Sequence, residues 1–240
     1  MQPPSSAQEQ FDRELDAVRQ HLDAAAAEIV SPLSELVSAR IRAAAPHLYA
    51  AFVLAAAYNQ QDDSCSMQTR VSLAAALEML SVALSIHQLL AVSTATDLDK
   101  SLIGSAILAG DYCFGRAARL AAQTDNPRIV ALFSTALQDI SENNLRVLFD
   151  NRTDTTGAAS AGRLGILLRS GAAAGLELSD LSAQERQTVL QLVARSAEKQ
   201  RNAQASPVSF DADLLAALPV PHQERWRALQ RRFAAAASGN

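Results

Sequence analysis

The chain has 240 residues, 25 of them acidic and 21 basic, and a net charge of −4 at neutral pH. That balance leaves no basic footprint for nucleic acid or anionic lipid, and with Lys100 and Lys199 as the only lysines, a bound anion would have to be held by arginine or by metal ions. Apolar residues make up 49% and aromatic residues 5%, with alanine dominant, which favours closely packed helices in one globular domain over strands.

Residues 1–8 read as a polar, proline-bearing tail without the basic and apolar regions of a signal peptide, leaving 9–240 as a single all-α domain. The first helix is predicted from about Gln8 to Val30, with Phe11, Leu15, Val18 and Leu22 at helical spacing. A second begins at Pro32 with Ser31 as its N-cap and ends before Pro46. The run from His47 to Tyr58 is apolar nearly all round, so its helix belongs inside a bundle. After a polar loop at Asn59–Ser66, a long helix is predicted over Met67–Val92. It is apolar enough to resemble a membrane span, but Glu78, His87 and Gln88 interrupt it, and a carboxylate in a span costs about 2.5–3.5 kcal/mol on insertion scales. It therefore reads as a core helix.

A loop at Ser93–Asp97 separates it from a helix over Leu98–Thr124, with Asp97 as the cap. TDNP then makes a tight turn that puts Pro127 at the first position of a helix reaching Phe149. The segment Asp150–Ser160 reads as a loop, and further helices are predicted at 161–176, 181–203 and 221–237. No segment alternates with a strand's two-residue period, and no repeat of fixed length recurs. An antiparallel α-bundle remains.

Few residues are spaced for catalysis. Asp62–Asp63 is the only adjacent acid pair and stands in a loop, while Asp211 and Asp213 point to different sides of a helix, so Asp211 reads as a cap. The histidines, His21, His47, His87 and His222, have no second ligand at i+3 or i+4, and Cys65 and Cys113 read as reduced, partly buried thiols. Neither a GxSxG elbow nor a Gly-rich phosphate loop occurs. Arg225, Arg227, Arg231 and Arg232 read as the wet face of an amphipathic helix.

Two segments carry a resemblance. ALEMLSVALSIHQLL, Ala76–Leu90, is similar to the helix that reads ALELLHxASLIHDDxxD in the trans-polyprenyl diphosphate synthases. Ala106–Leu145, containing AILAGDY and NPRIVALF, resembles that family's AILxGDYLLxxA helix, its NPxxxxLL turn and the helix beyond. The resemblance implies an all-α bundle of the isoprenoid-synthase type, shortened at its C-terminus. It places Ser85, His87 and Leu89 on the central cavity and implies that the helices near Lys100–Thr124 and Pro127–Phe149 form a subunit interface. Asp111, Tyr112, Phe114, Phe133, Leu137, Asn143 and Asn144 are the expected contacts there.

The departures concern charge. Where the family carries its first DDxxD, this chain has Gln88, Leu89, Leu90, Ala91 and Val92, and the second DDxxD falls near Gln204 and Ala205. Of the GGKRxRP grip, which falls on Arg40 to Pro46, only Pro46 and Arg42 correspond, the arginine pair after the first motif is missing from Ser93–Ser101, and the family's KTA falls near Ala159–Gly162 without its lysine or threonine. Adjacent phosphates repel strongly unless Mg²⁺ ions and several cations neutralise them. The resemblance with these losses implies a cytoplasmic, non-catalytic subunit that binds no cofactor itself, with Mg²⁺ only on a catalytic synthase partner in a heterodimer or heterotetramer that makes the prenyl chain of a quinone. A homodimer is the alternative assembly. Two other readings stand beside it: an active prenyltransferase or terpene-synthase-like enzyme whose metal site gathers Glu78, Asp111 or Glu142, and a homodimeric helical scaffold unrelated to isoprenoids.

Overall fold

A computed structural model of the chain describes residues 6–61, 64–92, 100–149, 155–202 and 208–238. Among them are ten helices and no strand: α1 (Ser6–Ala27), α2 (Leu33–Ala43), α3 (Leu48–Ala56), α4 (Ser64–Val92), α5 (Lys100–Ala122), α6 (Pro127–Phe149), α7 (Thr155–Leu176), α8 (Ala183–Asn202), α9 (Ala212–Ala216) and α10 (Val220–Ser238). α3 and α4 form the centre, with α1, α2, α5 and α7 around α4 and α10 laid across α1 and α3. The apolar eighteen-residue window of α4 is 83% buried inside the bundle, so its hydropathy is that of a core helix.

Several boundaries shift for local reasons. α1 takes in the end of the expected tail because Gln8 is buried, donating to Asp12 and accepting from Arg231 of α10. Pro32, not Ser31, occupies the N-cap of α2, and the Ser31 hydroxyl donates instead to Glu35. α4 and α7 start at Ser64 and Thr155, inside stretches that read as loops. Asp211 does cap α9, accepting from the amides of Asp213 and Leu214. Cys113 is buried, its thiol pushed up to about 12 by desolvation, whereas Cys65 is exposed rather than partly buried. Asp62–Asp63, the loop Ser93–Asp97 with its cap, and Gln204 and Ala205 lie outside the described residues.

The central helix poses a physical problem that the surrounding charges solve. Ala50 to Ala57 are all buried, so the unpaired amides and carbonyls at the two ends of α3 cannot reach water. At its N-terminus Glu78 of α4 accepts from the Ala50 amide at 3.0 Å, with His47 Nδ1 3.6 Å from the same carboxylate. At its C-terminus Arg70 donates to the Ala57 carbonyl at 3.3 Å and Arg225 to that of Leu54 at 3.5 Å. An acid at the start and bases at the end complement the helix dipole. Glu14 of α1 lies between the two arginines, bonded to Arg70 at 2.9 Å and in contact with Arg225. The Arg225 guanidinium also stacks over the Phe11 and Tyr58 rings. Arg225 is thus a core residue, unlike the exposed Arg227, Arg231 and Arg232, and the expected wet face holds only for those three.

Candidate functional site

One face of the apolar α4 is polar. Glu78, Ser81, Ser85 and Gln88 recur at spacings of three and four, which stacks them along a single stripe. The stripe opens on a cavity of about 230 Å³ lined by Arg40, Leu48, Tyr49, Glu78, Ser81 and Ser85 among others. Tyr49 is held protonated, its phenol pushed up to about 12 first by burial and then by Glu78. Ser85 lines this cavity as expected. His87 and Leu89 are half-buried beyond it, and the side chain of Val92 is not among those described.

At the end of the stripe, α4 meets α7. Gln88 donates to the Ser160 hydroxyl at 2.9 Å and accepts from Arg163, whose other terminal nitrogen donates to the Leu84 carbonyl at 3.3 Å. Burial holds the Arg163 guanidinium below its usual pKa range, opposed by Tyr49. The position where the resemblance puts the first acid of DDxxD is therefore tied to the segment where it puts KTA, and the group between them is a cation. A divalent ion needs converging oxygens. The donor set here is a guanidinium, an amide and one hydroxyl, which does not fit Mg²⁺, and no group of three or more His, Cys, Asp or Glu that could hold a metal occurs among the described residues.

The same end of the bundle explains why the SIH and AGD segments belong together. A Cβ on Gly110 would lie 2.1 Å from the His87 ring, so only glycine lets the imidazole seat against α5. There it lies 3.4 Å from Asp111 and stacks with Phe114 at 5.3 Å between centroids. Asn143 packs in the same way against Gly162, joining α6 to α7.

Of the other expected interface residues, Tyr112 bonds the Ala25 carbonyl of α1 and Glu28 just beyond it, Phe133 is 5% exposed in the core, Leu137 packs on the core edge, and Asn144 is exposed. Sequence reading missed a different set. Ile107, Leu108, Val130, Leu145 and Phe149 are five of the eight exposed large apolar residues among those described, and all lie on α5 or α6. The short turn after Ala122 makes these helices antiparallel, so Ile107 and Leu108 lie at the same end as Leu145 and Phe149. Apolar side chains at exposed helical positions were the signal that could have found them. The acids named for an alternative metal site do not converge: Glu78 caps α3, Asp111 faces His87, and Glu142 pairs with Arg146.

The architecture is that of the all-α isoprenoid synthases. The chain matches no protein-family model and no curated protein. Among solved structures it is similar to an isoprenoid synthase family member from Thermotoga neapolitana, at 14% identity over 93% of this chain and 99% of that one, with a TM-score of 0.65. A geranylgeranyl pyrophosphate synthase from Lactobacillus brevis aligns over 96% of this chain and 86% of its own at 14% identity, with a TM-score of 0.62. A decaprenyl diphosphate synthase from Rhodobacter capsulatus aligns over 98% and 89% at 16% identity, with a TM-score of 0.59. At these identities the likeness is one of fold.

Proposed function

We propose that this chain is a non-catalytic subunit that pairs with a polyprenyl diphosphate synthase and influences the length of its product. The observation that carries the reading is the Gln88–Ser160–Arg163 cluster: a guanidinium and neutral groups lie where the resemblance puts metal-binding acids. Ionising an allylic diphosphate requires the leaving group's charge to be neutralised, and one arginine supplies too little for that. The exposed apolar residues of α5 and α6 support an interaction role, because large apolar side chains left in water at one end of a helix pair, Ile107, Leu108, Leu145 and Phe149, are suited to a partner's apolar face. On this reading the chain works in the cytoplasm beside a catalytic subunit that carries the Mg²⁺, and a quinone side chain is the expected product class.

The test is co-expression with a full-length synthase from the same source that carries both DDxxD motifs. Co-purification and a changed product length are expected, and Leu108→Glu with Leu145→Glu should abolish both. A chain that neither co-purifies nor alters product length, or that alone condenses farnesyl and isopentenyl diphosphates with Mg²⁺, overturns the reading. A stable homodimer indifferent to the synthase would favour the scaffold instead.

A further inference from the structure

His222 sits where three distant stretches of the chain meet. It is buried, with Nε2 3.0 Å from Asp180 in the turn between α7 and α8, and its ring meets that of Tyr58, just past α3, edge to face at 5.2 Å between centroids. Asp180 also accepts from the Gln60 amide at 3.2 Å, so one carboxylate ties the segment after α3 to the first turn of α10. Arg225, three residues further along α10, has its guanidinium 5.5 Å from the centre of the same Tyr58 ring.

An ionised carboxylate only accepts, so the neutral imidazole donates from Nε2 and leaves Nδ1 bare. Nδ1 is buried and has no hydrogen-bond partner among the described residues. A second proton would therefore form a buried donor without an acceptor, beside a Tyr58 ring that already carries the Arg225 cation. Asp180 and Glu185 of α8 are the anions that act on the ring, and both favour its charged form, but burial outweighs them and holds the His222 pKa below its ordinary 6.5. Glu14 of α1 is taken up by Arg70 and Arg225.

α10 packs chiefly on α1, α3 and α9, and its buried residues His222, Arg225, Trp226 and Leu229 recur at helical spacing along one stripe. Trp226, the only tryptophan, lies against Phe52 of α3 and Phe210, at 5.6 and 5.2 Å between ring centroids. We propose that His222 is an acid-sensitive latch for α10: protonation of its ring favours a state in which α10 has lifted from α1 and α3, uncovering Phe52 and Trp226, while α4 stays packed in the bundle. The lifted state takes up the proton that the docked state refuses. Its population rises by at most about tenfold between about pH 7.5 and about pH 5.5, because an exposed histidine titrates near pH 6.5. The latch is remote from the Gln88 cluster in the chain and does not depend on a synthase partner.

Amide hydrogen exchange of the whole chain, resolved by NMR and corrected for the intrinsic pH dependence of exchange, is the test. Amides of α10 should exchange through openings roughly ten times more populated than those of α4, or more. From about pH 7.5 to about pH 5.5 the α10 openings should become several-fold more populated. In His222→Gln, which keeps a donor for Asp180 but has no titrating ring, that rise should disappear. Should this variant fail to fold, Asp180→Asn serves: it removes the first anion that favours the charged ring, and the rise should be as large or larger. Exchange of α10 and α4 through one common opening, a rise that survives in His222→Gln, or a smaller rise in Asp180→Asn overturns the proposal. Failure of co-purification with a synthase leaves this result untouched, so the two readings fail separately.

Discussion

Replacing Glu14 with Gln would test whether buried charge holds the central helix in place. Glu14, Arg70 and Arg225 are each 1% exposed, and the substitution keeps the shape of the side chain while removing the anion that both guanidiniums contact. Removing one partner of a buried ion pair costs about 3–5 kcal/mol, because the remaining charge is left without compensation. A domain's whole stability is about 5–15 kcal/mol, and in a chain of this size 1 kcal/mol moves the melting temperature by about 2–4 °C. Glu14→Gln should therefore lower the melting temperature by roughly 10 °C. Urea unfolding followed by circular dichroism measures the loss directly, with Glu142→Gln as the control. Glu142 and Arg146 are paired in the open, and that variant should be indistinguishable from the native chain. Making the whole triad apolar at once (Glu14→Leu, Arg70→Met and Arg225→Leu) should restore only part of the loss. The arginines also satisfy the Leu54 and Ala57 carbonyls, which an apolar core would leave bare. A Glu14→Gln chain that loses less than about 1 kcal/mol would refute the reasoning.

Two further outcomes can be measured the same way. Gly110→Ala must displace the His87 ring and should cost about 1–3 kcal/mol, whereas in a His87→Ala background the same change should be neutral or stabilising; additive effects would show that the two do not share the space. His222 is buried with Nε2 3.0 Å from Asp180, and burial lowers its pKa below the ordinary value of 6.5 although Asp180 and Glu185 oppose this. The unfolded chain then takes up the proton first, so this contribution is complete above pH 6.5 and declines as the pH falls from there through the folded pKa. Urea midpoints at about pH 7.5 and about pH 5.5, on either side of that value, should fall further for the native chain than for His222→Gln, and equal falls would contradict the assignment.

The helices were legible in the sequence where the signals were local. The TDNP turn put Pro127 at the first position of α6, and the observed helix runs from Pro127 to Phe149 as expected. The lack of a polar face in the run from Leu48 marked α3 as interior, and all of its residues from Ala50 onward are buried. The boundary errors at Ser64 and Thr155 arose because polar and small residues were read as loop, although they extend a helix once its later turns are packed. The candidate site was half legible. Gln88 and Ser85 were located through the resemblance, but Arg163 was passed over, since its importance comes from Gln88, 75 residues away in the chain.

What the sequence determined alone was the long helices and the apolar identity of the central ones, because helical hydrogen bonds span four residues and side-chain chemistry is written residue by residue, while the five-residue α9 was not foreseen. Only the tertiary structure decided which charges are buried and what they face. Arg225 and Arg231 lie in one helix and read alike as surface residues, yet one is sealed against Glu14 and the other meets Gln8 at the edge. A charge's environment is set by the helices packed around it, and those come from distant parts of the chain.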